Sequence, residues 1–143
     1  MGFIGLFMLI AGFIIGLGAV TVIDIHGFLG RKSSYWSEAT TRTHKVTKPL
    51  IWVGIILILI GSLLIYAPSL LYWQLGIIAL LIINGLFLSF RVSPYLLKRE
   101  EQGLSTKILS AEWQRKIMIS MILSDIGWWS SVVLLCYHLS SVT

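Results

Sequence analysis

Asp125 is the residue of this chain best placed to do chemistry. It is a lone carboxyl in an otherwise apolar run from Ile117 to Tyr137. An ionisable side chain at the centre of a membrane helix costs about 3 kcal/mol on insertion scales, so its presence calls for a reason. Helical rise places Asp125 about 13 Å beyond Lys116 and Asn84 about 10 Å before Arg91, at similar depth. Asp24 and Thr21, near the end of the first apolar run, fall in the same zone. Two chemistries fit these four residues. One is proton or cation acceptance, as in a small transporter or channel-like protein with Asp125 and Asn84 on its path. The other is a structural hydrogen bond that fixes helix rotation. The structural reading weighs more, because one acid and one amide make a thin transport path.

His26 and His44 form a second constellation. Both lie at the edges of apolar runs and at the same end of the molecule. Two imidazoles on neighbouring helices are what axial ligation of a haem b, or a metal ion in a redox protein, would require. Asp24 would serve such a site as a further ligand or as an orienting carboxylate. Spacing-specific support is missing: there is no CxxCH and no HExxH. Histidines hydrogen-bonded at a membrane boundary are the simpler reading, and no cofactor is expected. His138 belongs to the opposite end.

Other familiar chemistries are poorly supported. Gly27 to Ser34 ends in Gly-Arg-Lys-Ser but lacks the glycine spacing and preceding strand of a phosphate-binding loop. The single cysteine, Cys136, forms no internal disulfide and no cysteine metal cluster. A serine nucleophile needs a base within hydrogen-bond reach, whereas the histidines sit at the boundaries. A lipid-modifying enzyme built on Asp24, His26 and the basic loop would need more converging polar groups than the chain offers.

The elements that position these residues follow from charge. All eleven Lys and Arg residues fall in two stretches, Arg31 to Lys48 and Arg91 to Lys116. The chain is 57% hydrophobic and 12% charged, with a mean hydropathy of +0.89. Soluble domains carry about 25% charged residues, so a soluble enzyme with an ordinary core is excluded. A hydrocarbon core takes about 20 helical residues to cross. Spans are therefore expected at about 1–25, 49–66, 70–90 and 117–137, in one domain of 143 residues. Ala67-Pro68-Ser69 breaks the second from the third. Loops 26–48 and 91–116 lie on one side and, being basic, on the cytoplasmic side. The expectation is an all-α, up-down-up-down four-helix bundle with N-terminus and C-terminus both outside. It would be integral to the cell membrane, of prokaryotic type, with its first span an uncleaved signal anchor. Ser37 to Lys45 is expected as an interfacial helix ending near Pro49, and Ser110 as the start of a helix running into the fourth span.

Helices in lipid adhere through small residues and internal hydrogen bonds. Gly5, Gly12 and Gly16 make one ridge on the first span, and Ser120, Ser124 and Gly127 repeat the device on the fourth. Packing inside one bundle is the first reading, a homodimer or larger membrane complex the second. Arg31, Lys32, Lys45, Lys48, Arg115 and Lys116 are expected to meet anionic headgroups, since no basic aromatic stripe suggests nucleic acid. The leading functional expectation is a non-enzymatic accessory or interaction subunit. The transporter and the redox protein stand as rivals.

Overall fold

In the computed structural model, which describes residues 2–142 and side chains for 2–141, the chain forms four long helices. They are α1 (Gly2–Gly30), α2 (Ser34–Ile65), α3 (Pro68–Glu101) and α4 (Ala111–Val142). All four are long and apolar enough to cross a membrane, and no strand occurs among the described residues. The connections are short. Residues 31–33 join α1 to α2, and Tyr66 and Ala67 join α2 to α3. Pro68 opens α3 at a position where its missing N–H is not needed.

The stretch expected as a loop between the first two spans is mostly helix. α1 runs on to Gly30, and α2 begins at Ser34 and passes through Pro49 without ending. A proline inside a helix costs about 3 kcal/mol, because it removes one backbone donor and crowds the preceding turn. Here burial of Thr41, Thr47, Ile55 and Ile58 along the same helix offsets that cost. Local propensity predicted a boundary, and tertiary packing overrode it. Ser37, expected to begin an interfacial helix, lies inside the first turns of α2.

Two π-helical turns interrupt the ladder, Phe13–Leu17 in α1 and Leu88–Val92 in α3. Such turns appear mostly as single bulges within α-helices and are frequent at functional sites.

Close approach defines the α1–α2 pair. A Cβ placed on Gly54 would stand 2.5 Å from the Cα of Gly16, and one on Gly12 would stand 2.7 Å from Ile58 Cγ2. Gly5 lies against Leu64 and Ile65. Along these contacts the numbering rises on α1 as it falls on α2. α3 and α4 pair in the same sense, with Leu81 seated over Gly127 and Gln74 Nε2 donating to Ser131 Oγ at 3.0 Å. Trp128 joins the two pairs. It is completely buried, its ring lies against Gly16, and it meets Phe13 edge-on at 6.4 Å. The ridge of Gly5, Gly12 and Gly16 is thus covered by this chain's own α2 and α4.

Outward faces carry large apolar side chains on every helix, including Phe3, Ile14, Val53, Ile83, Phe90 and Val133. Soluble monomers rarely expose contiguous apolar patches of more than a few hundred Å².

Candidate functional site

Packing is tight around Trp128 and looser at the basic end of the bundle, where a partly open cavity of about 90 Å³ lies between the two helix pairs. Helical spacing explains its walls. On α1, Asp24 and Gly27 are one turn apart on a common face. On α2, Ser37, Thr40, His44, Lys48 and Ile51 follow steps of three and four residues, so five side chains make one stripe. α3 contributes Gly85, Leu88, Ser89, Val92 and Leu96, and α4 contributes Gln114, Met118, Met121 and Ser124. The π turn of α3 supplies three of those residues, Leu88, Ser89 and Val92. One water needs about 10–15 Å³ of such space, so the cavity has room for a group of several heavy atoms.

Most polar groups on its walls already have partners. Ser37 Oγ donates to the Lys107 carbonyl at 3.2 Å, and Thr40 Oγ1 to the Trp36 carbonyl at 2.7 Å. Trp52 Nε1 donates to Ser89 Oγ at 3.3 Å. Gln114 Nε2 donates to the carbonyls of Leu109 at 2.9 Å and Arg31 at 3.4 Å. Arg99 also donates to the carbonyls of Leu104 and Lys107, so the connection 102–110 is held across this end of the cavity.

Three groups are different. Asp24 Oδ2 and His44 Nε2 are buried and have no hydrogen-bond partner among the described residues. Lys48, one turn beyond His44 and within electrostatic reach of it, belongs to none of the ion pairs of the described residues. A buried polar group left unpaired costs about 1–3 kcal/mol; Tyr66 Oη, Gln74 Oε1 and Trp128 Nε1 are unpartnered too, but Asp24 and His44 are the two such residues that line the cavity. A carboxyl and an imidazole each accept or donate hydrogen bonds according to protonation, and an ammonium donates.

The residues expected to share a polar site are brought together only in part. Asn84 does not meet Asp125. It pairs with Ser120, whose Oγ donates to Asn84 Oδ1 at 2.7 Å, while Asn84 Nδ2 donates to the Ser120 carbonyl at 3.0 Å. Ser120 and Asp125 are about 140° apart around α4, so the helix cannot present both to α3. Asp125 is half-buried and lies within electrostatic reach of Asp24 instead. Thr21 is exposed and turns its hydroxyl back to its own Leu17 carbonyl at 2.8 Å.

His26 and His44 likewise face different partners. His26 Nδ1 shares a hydrogen bond with Thr43 Oγ1 at 3.0 Å, and its ring lies 5.1 Å from that of Trp36. His44, about 100° further round α2, lines the cavity. Among the described residues no three His, Cys, Asp or Glu side chains are grouped to hold a metal ion. His138 packs at the other end, 5.2 Å from the Tyr66 ring.

The basic residues divide as well. Arg31 and Lys48 line the cavity. Lys45 pairs with Glu100 at 2.7 Å across α2 and α3, and Lys116 pairs with Glu112 one turn away. Lys32 and Arg115 are exposed. Of the small residues on α4, Ser120 bonds Asn84, Ser124 lines the cavity and Gly127 receives Leu81.

Two features escaped the sequence reading. Gln74, wholly buried against Ser131, was visible as the one amide of the third apolar run besides Asn84. The polar stripe on α2 was hidden because Ser37 to Lys45 was expected as a separate interfacial helix ending near Pro49, not as one helix with the second span. No family model, no curated protein and no solved structure matches this chain.

Proposed function

We propose that this chain is a multi-pass integral protein of the cell membrane, with both termini outside, that acts without catalysis by binding an amphiphilic molecule. The binding place is the cavity between the helix pairs at the basic end. An up-down-up-down threading, with the basic end at the cytoplasmic face, follows from the confinement of every Lys and Arg to that end. The chain thus serves as an accessory protein, presenting or sensing its ligand rather than transforming it.

One observation supports the reading: Asp24 and His44, each with a buried polar atom that has no partner among the described residues, both line a cavity whose surface is mostly apolar. Apolar walls with a few placed polar groups are the usual make-up of small-molecule sites. The separation of Asn84 from Asp125 argues against the transport path, and the separate partners of His26 and His44 against the redox reading.

Thermal unfolding of the purified protein in detergent, with fatty acids, phospholipids, isoprenoid alcohols and quinones added singly, tests this. A ligand present at a hundred times its Kd stabilises by about 2.7 kcal/mol. At least one class should raise the midpoint in the wild type and fail to do so in His44→Leu. If none does, the binding reading is wrong.

A further inference from the structure

We propose that the outward face of α4 beside Asp125 seats one membrane-spanning helix of a second protein, a helix that carries a lysine or arginine at the depth of Asp125. This uses the membrane threading proposed above but not the cavity, since Asp125 is not among the side chains that line it. The pattern of exposure comes first. Ile119, Ile122, Ile126, Trp129 and Val133 are each more than half exposed, and Cys136 is exposed as well. Their numbers advance by three and four in turn, so they make one stripe with a seven-residue repeat. That repeat is the seam of a left-handed helix pair, with Ile119, Ile126 and Val133 in one row and Ile122, Trp129 and Cys136 in the other. The chain's own α1, α2 and α3 leave it uncovered. In such a seam the residue just before a first-row position flanks the contact, and charges there choose the partner. Asp125, just before Ile126, holds that position.

Charge identifies the occupant. Asp125 is half-buried, and its carboxyl joins no ion pair or hydrogen bond of the described residues. Ionisable residues inside spans almost always face the bundle interior or water and are paired. Asp125 instead borders a stripe turned to lipid, whose tails offer no donor. Lysine or arginine could extend a charge to the headgroup layer, but a carboxyl on one methylene cannot cover the distance of about 13 Å to Lys116. Trp129 is a second sign. Aromatic belts form at membrane boundaries, yet this exposed ring lies about 20 Å beyond Lys116, well inside the apolar run. A large ring and a neighbouring acid suit a helix that brings an apolar face and a cation. A second copy does not supply that cation. Every Lys and Arg of this chain lies within Arg31 to Lys48 or Arg91 to Lys116, so a copy in the same orientation would set its own Asp125 at this depth. Asp24, within electrostatic reach, already adds negative charge there. The partner helix therefore carries its basic residue about nine residues in from its cytoplasmic end.

The test reconstitutes the full chain in phosphatidylcholine vesicles with a synthetic leucine–alanine helix of about 20 residues. The peptide carries one lysine about nine residues from an end and a dansyl group, and association is read as energy transfer from the protein's tryptophans. Saturable transfer is expected, with a Kd about tenfold lower than for the same peptide with leucine in place of the lysine. Asp125→Asn should remove that preference without moving the thermal midpoint. Asp125→Lys should reverse it, so that a glutamate peptide binds and the lysine peptide does not. Trp129→Ala should raise the Kd about threefold, whereas Tyr72→Ala, on an exposed face of α3, should leave it unchanged. Equal affinity for the lysine and leucine peptides overturns the proposal, and so does transfer that never exceeds random mixing. Cross-linking of two copies without peptide, lost in Asp125→Asn, also overturns it and makes a second copy the occupant. A chain that does not float with the vesicles removes the threading and this proposal together. Failure of every amphiphile in the thermal assay removes the cavity reading and leaves this one standing.

Discussion

Replacing Asn84 should destabilise this bundle more than replacing Asp125, although Asp125 is the more conspicuous residue in the sequence. Asn84 is 7% exposed and makes two bonds to Ser120, one to its hydroxyl and one to its carbonyl. Interhelical hydrogen bonds in membrane proteins average about 0.6 kcal/mol each and reach about 1.7. Asn84→Leu removes both, so it should cost about 1–3 kcal/mol. Ser120→Ala removes only the side-chain bond and should cost about 0.6–1.7 kcal/mol on the same scale. Asn84→Leu and Ser120→Ala should not add in the double variant; the coupling should match the single shared side-chain bond. Asp125→Leu leaves that pair intact and removes a half-buried carboxyl for which no bond to Asn84 exists, so its effect should stay within about 0.5 kcal/mol or be stabilising. Reversible unfolding in mixed micelles measures all four. Additive Asn84 and Ser120 effects, or an Asp125→Leu cost equal to that of Asn84→Leu, would refute this account of the α3–α4 interface.

Gly54→Val should separate α1 from α2, because the nearest atoms are the backbone of Gly16, which cannot yield. Overpacking of this kind costs about 1–3 kcal/mol or more, whereas Gly76→Val, with nothing near its Cβ, should not lower the thermal midpoint. In a Cys136→Ser background, a cysteine at Thr106 should resist an impermeant thiol reagent added to intact cells and one at Ser141 should react; the reverse pattern would invert the threading.

Much of the architecture was legible in the sequence. The four apolar runs, the break at Ala67-Pro68 and the gathering of basic residues at one end need only composition, since transfer of a segment into lipid is close to a sum over its residues. The glycine ridge of α1 also pointed at a real close contact, though not at which helix would fill it. The candidate site was legible only in pieces. Asp24 and His44 were both singled out, Asp24 with Asp125 and also as a further ligand beside the histidines, and His44 with His26. Lys48, which lines the same cavity, was read as a headgroup contact.

Charge placement and apolar length are properties of the chain alone, and they set how many helices form and which end is basic. Rotation about the helix axes is not such a property. Each residue turns the helix about 100°, so a modest rotation exchanges one partner for another. Only the packed bundle fixes that rotation, through the contact of Gly54 with Gly16 and the seat of Trp128 over Gly16. With those contacts made, Ser120 rather than Asp125 meets Asn84, His26 turns to Thr43, and the stripe from Ser37 to Lys48 lines with Asp24 a cavity that no run of residues announces.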